Sequence, residues 1–175
     1  MRRPDAQPAR KRFVIVFAST AAVLLAIYSF AHAGPDEREG WFGRYLRAYA
    51  WAAGSIVALT DRNARVTGTH LDGPGVSLTV AKNCDAMDYG LLWVAAVIAF
   101  PAAWRRRAVG LAGGLVMLAA INLARIVSLY HVSARWSGWF DVVHTELWPL
   151  AMVAFTLAAF LAWTRWAGDA GRARP

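Results

Sequence analysis

The sequence predicts an all-α integral membrane protein with about four transmembrane helices, an interfacial helix and a short β-hairpin on the outer face. Three observations carry this. Hydrophobic residues make up 58% of the 175 residues and charged residues only 17%. The apolar positions fall in long runs rather than one-sided stripes, and about twenty apolar residues let a helix cross the bilayer core. Phe13 to Ala31, Tyr89 to Trp104, Ala108 to Tyr130 and Leu147 to Trp163 read as such runs. The charge is also sharply divided along the chain.

Eleven basic residues lie in the first twelve positions, in the turn Arg105 to Arg107 and in the tail, where they face only Asp5 and Asp169. The remaining segments nearly balance, so one side carries about +9 and the other about −1. Lys and Arg collect in short loops on the cytoplasmic side. The net charge of +8 is therefore a topology signal, and no nucleic-acid partner is needed to explain it. The resulting map places the N-terminus inside, residues 32–88 outside, the arginine turn inside, residues 131–146 outside and the tail inside.

Taken in order, Phe13 to Ala31 follows the basic lead-in Arg10-Lys11-Arg12. It exceeds a usual signal-peptide core, and His32-Ala33-Gly34 is a poor cleavage site, so it reads as an uncleaved anchor. Tyr45 to Thr60 is apolar but short, and it begins among Arg44 and Arg47. A crossing here would put Arg105 to Arg107 outside, so an interfacial or re-entrant helix is expected. Val66 to Val80 alternates around Asp72-Gly73-Pro74-Gly75, the pattern of a hairpin. Asp85 is expected to cap the next helix and Asp88 to sit in its first turn, opposing the dipole favourably. Pro101 should kink or end that helix. Trp41, Trp104, Trp136, Trp148 and Trp163, at the ends of apolar runs, suggest interfacial belts.

The candidate chemistry gathers at the outer ends of three segments. Cys84 is the single cysteine, which rules out an internal disulfide and leaves an inert small hydrophobe, an intermolecular bond or a nucleophile. Its place ahead of a helix and beside Lys82 favours the thiolate, whereas Asp85 and Asp88 oppose it. Arg125 interrupts an apolar run at a cost of ~2.5–3.5 kcal/mol at a helix centre. Snorkelling to lipid phosphate is its plainer role. Asn122, at i−3, is placed to hold the guanidinium for an oxyanion or carboxylate. His144 has the pKa range of a general base; Asp141 at i−3 is placed to orient it, with Glu146 as a neighbour. His32, His70 and His131 read as bland; His70 and His131 could join His144 in a metal or haem site, but no ligand spacing supports this, so no metal or cofactor is expected.

In sequence, Asn83-Cys84-Asp85-Ala86-Met87-Asp88, Asn122-Leu123-Ala124-Arg125-Ile126 and Phe140-Asp141-Val142-Val143-His144 resemble the exosortase/archaeosortase family of membrane cysteine transpeptidases. The compact length most resembles the exosortase H branch. Residues from about Val66 to Trp163 carry the likeness. It implies a basic cytoplasmic tail over 1–12, a membrane-embedded domain over 13–165 and a second tail over 166–175. The protein would lie in the bacterial inner membrane with its site facing the periplasm. It also implies catalytic Cys84, Arg125 and His144, without cofactor. The partners would be membrane-anchored proteins ending in a short motif, a transmembrane helix and a basic cluster. The family usually has Gly two residues after the Cys, where this chain has Ala86. A non-enzymatic assembly or lipid-binding factor is the rival reading. Recognised motif, acceptor and oligomeric state stay open.

Overall fold

The computed structural model describes residues 6–31 and 40–172. The chain divides into two compact units, each assembled from separated stretches of sequence. His32, Ala33 and Gly34 lie outside the described residues.

The first unit holds α1 (Ala6–Ala31), α3 (Met87–Ala99) and parts of two long helices, α4 (Trp104–Arg135) and α6 (Trp148–Arg172). Helix α1 packs along α3. The indole of Trp93 lies against Gly114, where a Cβ would collide with it, and donates to the Gly110 carbonyl at 3.0 Å. Trp163 similarly covers Gly110 and donates to Arg106 O at 3.3 Å. Trp163 is thus a buried packing residue. The arginine turn has a structural task as well: Arg107 donates from Nε and Nη2 to Phe100 O at 3.2 and 3.0 Å, and Arg106 to Ala167 O at 2.6 Å. Arg107 thereby adds charged donors to a carbonyl just past the C-terminus of α3, where a cation also suits the helix dipole.

Three stretches, Arg10–Phe30, Trp104–Arg135 and Ser137–Gly168, are long and apolar enough to cross a membrane. Val14, Ile15, Val23, Ile27 and Phe30 of α1 and Leu150, Val153 and Leu157 of α6 are exposed, an exterior that suits lipid rather than water. The run from Tyr89 to Trp104 is less than the expected span. Its helix stops at Ala99 after 13 residues, about 20 Å at 1.5 Å per residue, against a core of about 30 Å. Pro101 has no N–H to continue the ladder and keeps Phe100 out of the helical region.

The second unit contains α2 (Trp41–Val57) and three antiparallel strands, β1 (Arg65–Thr67), β2 (His70–Gly73) and β3 (Val76–Thr79). The extra strand β1 pairs Val66 with Leu71, so the sheet exceeds the single hairpin read from the alternation. Gly68 and Gly75 have φ of 64° and 72°, conformations that suit glycine at the two turns. Helix α2 buries Phe42, Leu46, Ala50, Ala53 and Val57 on one face, while Gly54 brings its backbone onto Val66 and Leu71. Its opposite face exposes Trp41, Arg44 and Trp51, a mix of large apolar and basic side chains of the kind that interfacial helices carry. Tyr130 ties the C-terminal part of α4 to the sheet and the loop before it: its ring covers Gly73 and its hydroxyl donates to Asp61 Oδ2 at 2.7 Å.

Candidate active site

Cys84, Arg125 and His144 all belong to the second unit. Cys84 ends a single 3₁₀ turn, Lys82–Cys84, that follows β3; its N–H donates to Ala81 O at 2.8 Å. His144 stands in a π-helical turn, Val143–Leu147, between the short helix α5 (Phe140–Val142) and α6. Such one-turn insertions often accompany functional sites because they redirect one side chain. Phe140 packs on the imidazole with ring centroids 5.5 Å apart.

The thiol and imidazole meet: Cys84 Sγ lies 3.6 Å from His144 Nε2, within hydrogen-bond reach for sulfur. Cys84 is buried, 7% exposed, and burial pushes its thiol above the ordinary range; the Arg125 charge pulls it back down by a smaller effect, as does a backbone contact at Ala81, while Asp85 adds to the rise. The net upward shift favours the neutral thiol over a preformed thiolate at rest. A buried thiol of this kind reacts only with a base to take its proton.

Arg125 is 4% exposed, and its Nε has no hydrogen-bond partner. A guanidinium snorkelling to lipid phosphate would turn its nitrogens outward; this one is enclosed beside the thiol. An orphaned charged donor is costly in the free protein and fits a group held ready for an anion. Ser128 Oγ donates to Arg125 O at 2.8 Å and accepts from Trp148 Nε1 at 3.0 Å. Trp148 thereby braces this part of the unit.

Two supporting roles differ from those expected. Asn122, fully buried, donates from Nδ2 to Cys84 O at 2.9 Å, so it holds the backbone of Cys84 rather than the guanidinium. Its Oδ1 has no partner. Asp141 makes no hydrogen bond to the imidazole among the described residues; its carbonyl accepts from Thr145 Oγ1 at 2.7 Å. The ring is oriented by the π turn and Phe140. Ala86 intervenes between Asp85 and the start of α3 at Met87, and the Asp85 carbonyl accepts from Tyr45 Oη at 2.8 Å. Asp88 does occupy the first turn of α3.

Comparison with protein families, curated proteins and solved structures finds no match. The site must be read from its own geometry.

Ala86, in the position where glycine would be expected from the resemblance, has φ 56°. It is the one non-glycine residue with positive φ among those described. For an L-residue this region costs about 1–2 kcal/mol, a strain retained only where the surroundings over-determine the conformation. Tyr45 was not singled out by the sequence, because nothing local distinguishes it from the other aromatic residues of α2. His70 and His131 instead bond to hydroxyls, His70 Nδ1 to Thr79 Oγ1 at 3.0 Å and His131 Nε2 to Thr60 Oγ1 at 3.2 Å. No cluster of three metal-ligating side chains occurs among the described residues.

Proposed function

We propose that the protein is a membrane cysteine protease or transpeptidase that cleaves a C-terminal sorting signal at the outer face of the bacterial inner membrane. The observation that supports this most is the 3.6 Å approach of Cys84 Sγ to His144 Nε2, with the buried guanidinium of Arg125 acting on the same thiol. A scaffold or lipid-binding factor has no need of that pairing.

The chemistry follows the logic of acyl transfer. His144 Nε2 takes the Cys84 proton as Sγ bonds to the scissile carbonyl carbon, and Arg125 stabilises the oxyanion. The C–N bond then breaks, the imidazolium returns the proton to the leaving amine, and the acyl group remains as a thioester. Water or an acceptor nucleophile adds to the thioester, giving its proton to His144; the C–S bond breaks and the thiol is restored. A recess of about 430 Å³ on the same unit, lined in part by Leu46, Arg47, His70, Thr79 and Lys82, offers room for substrate residues near the turn that bears Cys84.

The direct test is to incubate the full chain in membranes with a protein ending in the tripartite signal and search for a covalent adduct. A hydroxylamine-sensitive acyl group on Cys84 is expected. Cleavage that proceeds at full rate from a Cys84→Ala protein would overturn the reading.

The four-span orientation is part of the same proposal, with α3 as a short fourth crossing. In a Cys84→Ser background, cysteines introduced singly at Asn63 and Ala103 report each side. An impermeant thiol reagent applied to spheroplasts is expected to label position 63 and spare position 103. The reverse pattern would invert the map and remove the periplasmic site.

A further inference from the structure

We infer that Tyr45 is a positioning residue for the nucleophile: with Asn122 it clamps two successive carbonyls of the Cys84 turn and so holds Ala86 in the left-handed conformation that aims the thiol at His144. The inference rests on the reading of Cys84 as nucleophile, but it concerns a separate part of the device.

The geometry is specific. Tyr45 Oη donates to Asp85 O at 2.8 Å from a helix forty residues upstream. Asn122 Nδ2 donates to Cys84 O at 2.9 Å from a helix thirty-eight residues downstream. Each carbonyl belongs to a planar peptide unit, so fixing its direction fixes the plane on both sides of Asp85. The second plane, Asp85–Ala86, enters directly into φ of Ala86, which stands at 56°. Tyr45 is itself held firmly. Its ring stacks on Phe42 with centroids 6.0 Å apart and meets Tyr49 edge-on at 4.9 Å, and Phe42, Leu46 and Ala50 of α2 are buried.

A left-handed alanine would relax toward negative φ if one clamp were released, and the relaxation would swing the Cys84 turn. Glycine at the same place occupies positive φ without the steric penalty. The arrangement therefore links two residues with no reason to be coupled otherwise. Tyr45 is needed because residue 86 is alanine.

The test is a double-mutant cycle on the full-length membrane protein, comparing Tyr45→Phe alone with Tyr45→Phe in the Ala86→Gly background. Phenylalanine keeps the ring packing and deletes only the hydroxyl. In the native background kcat for reporter cleavage should fall about tenfold, a loss of ~1.4 kcal/mol, with KM little changed. In the Ala86→Gly background the same substitution should cost less than about threefold. Thermal unfolding midpoints, read without any substrate, should be non-additive in the same sense. Equal losses in both backgrounds, or a Tyr45→Phe protein that cleaves at the native rate, would overturn the clamp. The unfolding arm keeps the two proposals apart. Coupled midpoints together with cleavage by Cys84→Ala would retain the clamp and discard the nucleophile; additive midpoints and additive kcat losses beside an inactive Cys84→Ala would do the opposite.

Discussion

Replacing Cys84 by alanine is expected to abolish cleavage of a reporter that ends in a cognate motif, apolar span and arginine cluster, by roughly a thousandfold or more. The residual rate should be that of binding and oxyanion stabilisation without a nucleophile. Cys84 is the single cysteine of the chain, so no second thiol can substitute. Serine should be nearly as inactive. Its hydroxyl is a weaker nucleophile that needs a strongly positioned base, and the shorter C–O bond draws the atom away from an imidazole set at sulfur distance, 3.6 Å. Both variants should fold, because the turn is anchored through the backbone carbonyls of Cys84 and Asp85 rather than through the thiol. The measurement is reporter cleavage in membranes, with expression and insertion checked for each protein. Native-rate cleavage by Cys84→Ala would end the nucleophilic mechanism.

The pH dependence has a definite sign. Burial raises the Cys84 thiol, and the Arg125 charge opposes this. Alkylation of the single thiol by iodoacetamide should therefore quicken as pH rises, with its midpoint above the ordinary thiol range. Removing the positive charge in Arg125→Gln disfavours the thiolate further. The midpoint should then move to still higher pH, and the rate at any fixed pH below it should fall. An unchanged or lowered midpoint would mean that the guanidinium does not act on the thiol.

The three candidate residues could be read from the sequence because each stands against its surroundings. A lone cysteine follows a strand-like stretch, an arginine interrupts an apolar run that has to pay for it, and a histidine precedes the last run. What joins them is not local. His144 reaches the thiol through a π-helical turn, and no residue type over Val143 to Leu147 announces one. Asn122 shares a helix face with Arg125, which made the guanidinium its natural partner. The carbonyl of Cys84, far away in sequence, competes successfully for its amide. The positive φ of Ala86 is imposed by tertiary hydrogen bonds against its own preference, so propensity pointed away from it. The fold shows the same division. Long helices followed from the hydrophobic runs, but the stop at Ala99 was decided by Pro101 and the Phe100 backbone. The third strand is only Arg65–Thr67, too short for alternation to declare itself.

Arg125→Lys separates charge from geometry, and it is expected to lower kcat by about 10²–10³-fold, the range for losing one oxyanion donor. Lysine keeps a positive charge but has neither the planar fork nor its fixed donor directions. The enclosure of Arg125, 4% exposed with Nε unpartnered, leaves little freedom for a shorter reach to adjust. At neutral pH the lysine variant should retain much of the electrostatic pull on Cys84, so its alkylation profile should lie nearer the native one than that of Arg125→Gln. A lipid-anchoring arginine predicts the reverse on every count, since lysine snorkels to phosphate equally well. Native cleavage by Arg125→Lys across the pH range would remove the oxyanion role while leaving Cys84 and His144 as the reacting pair.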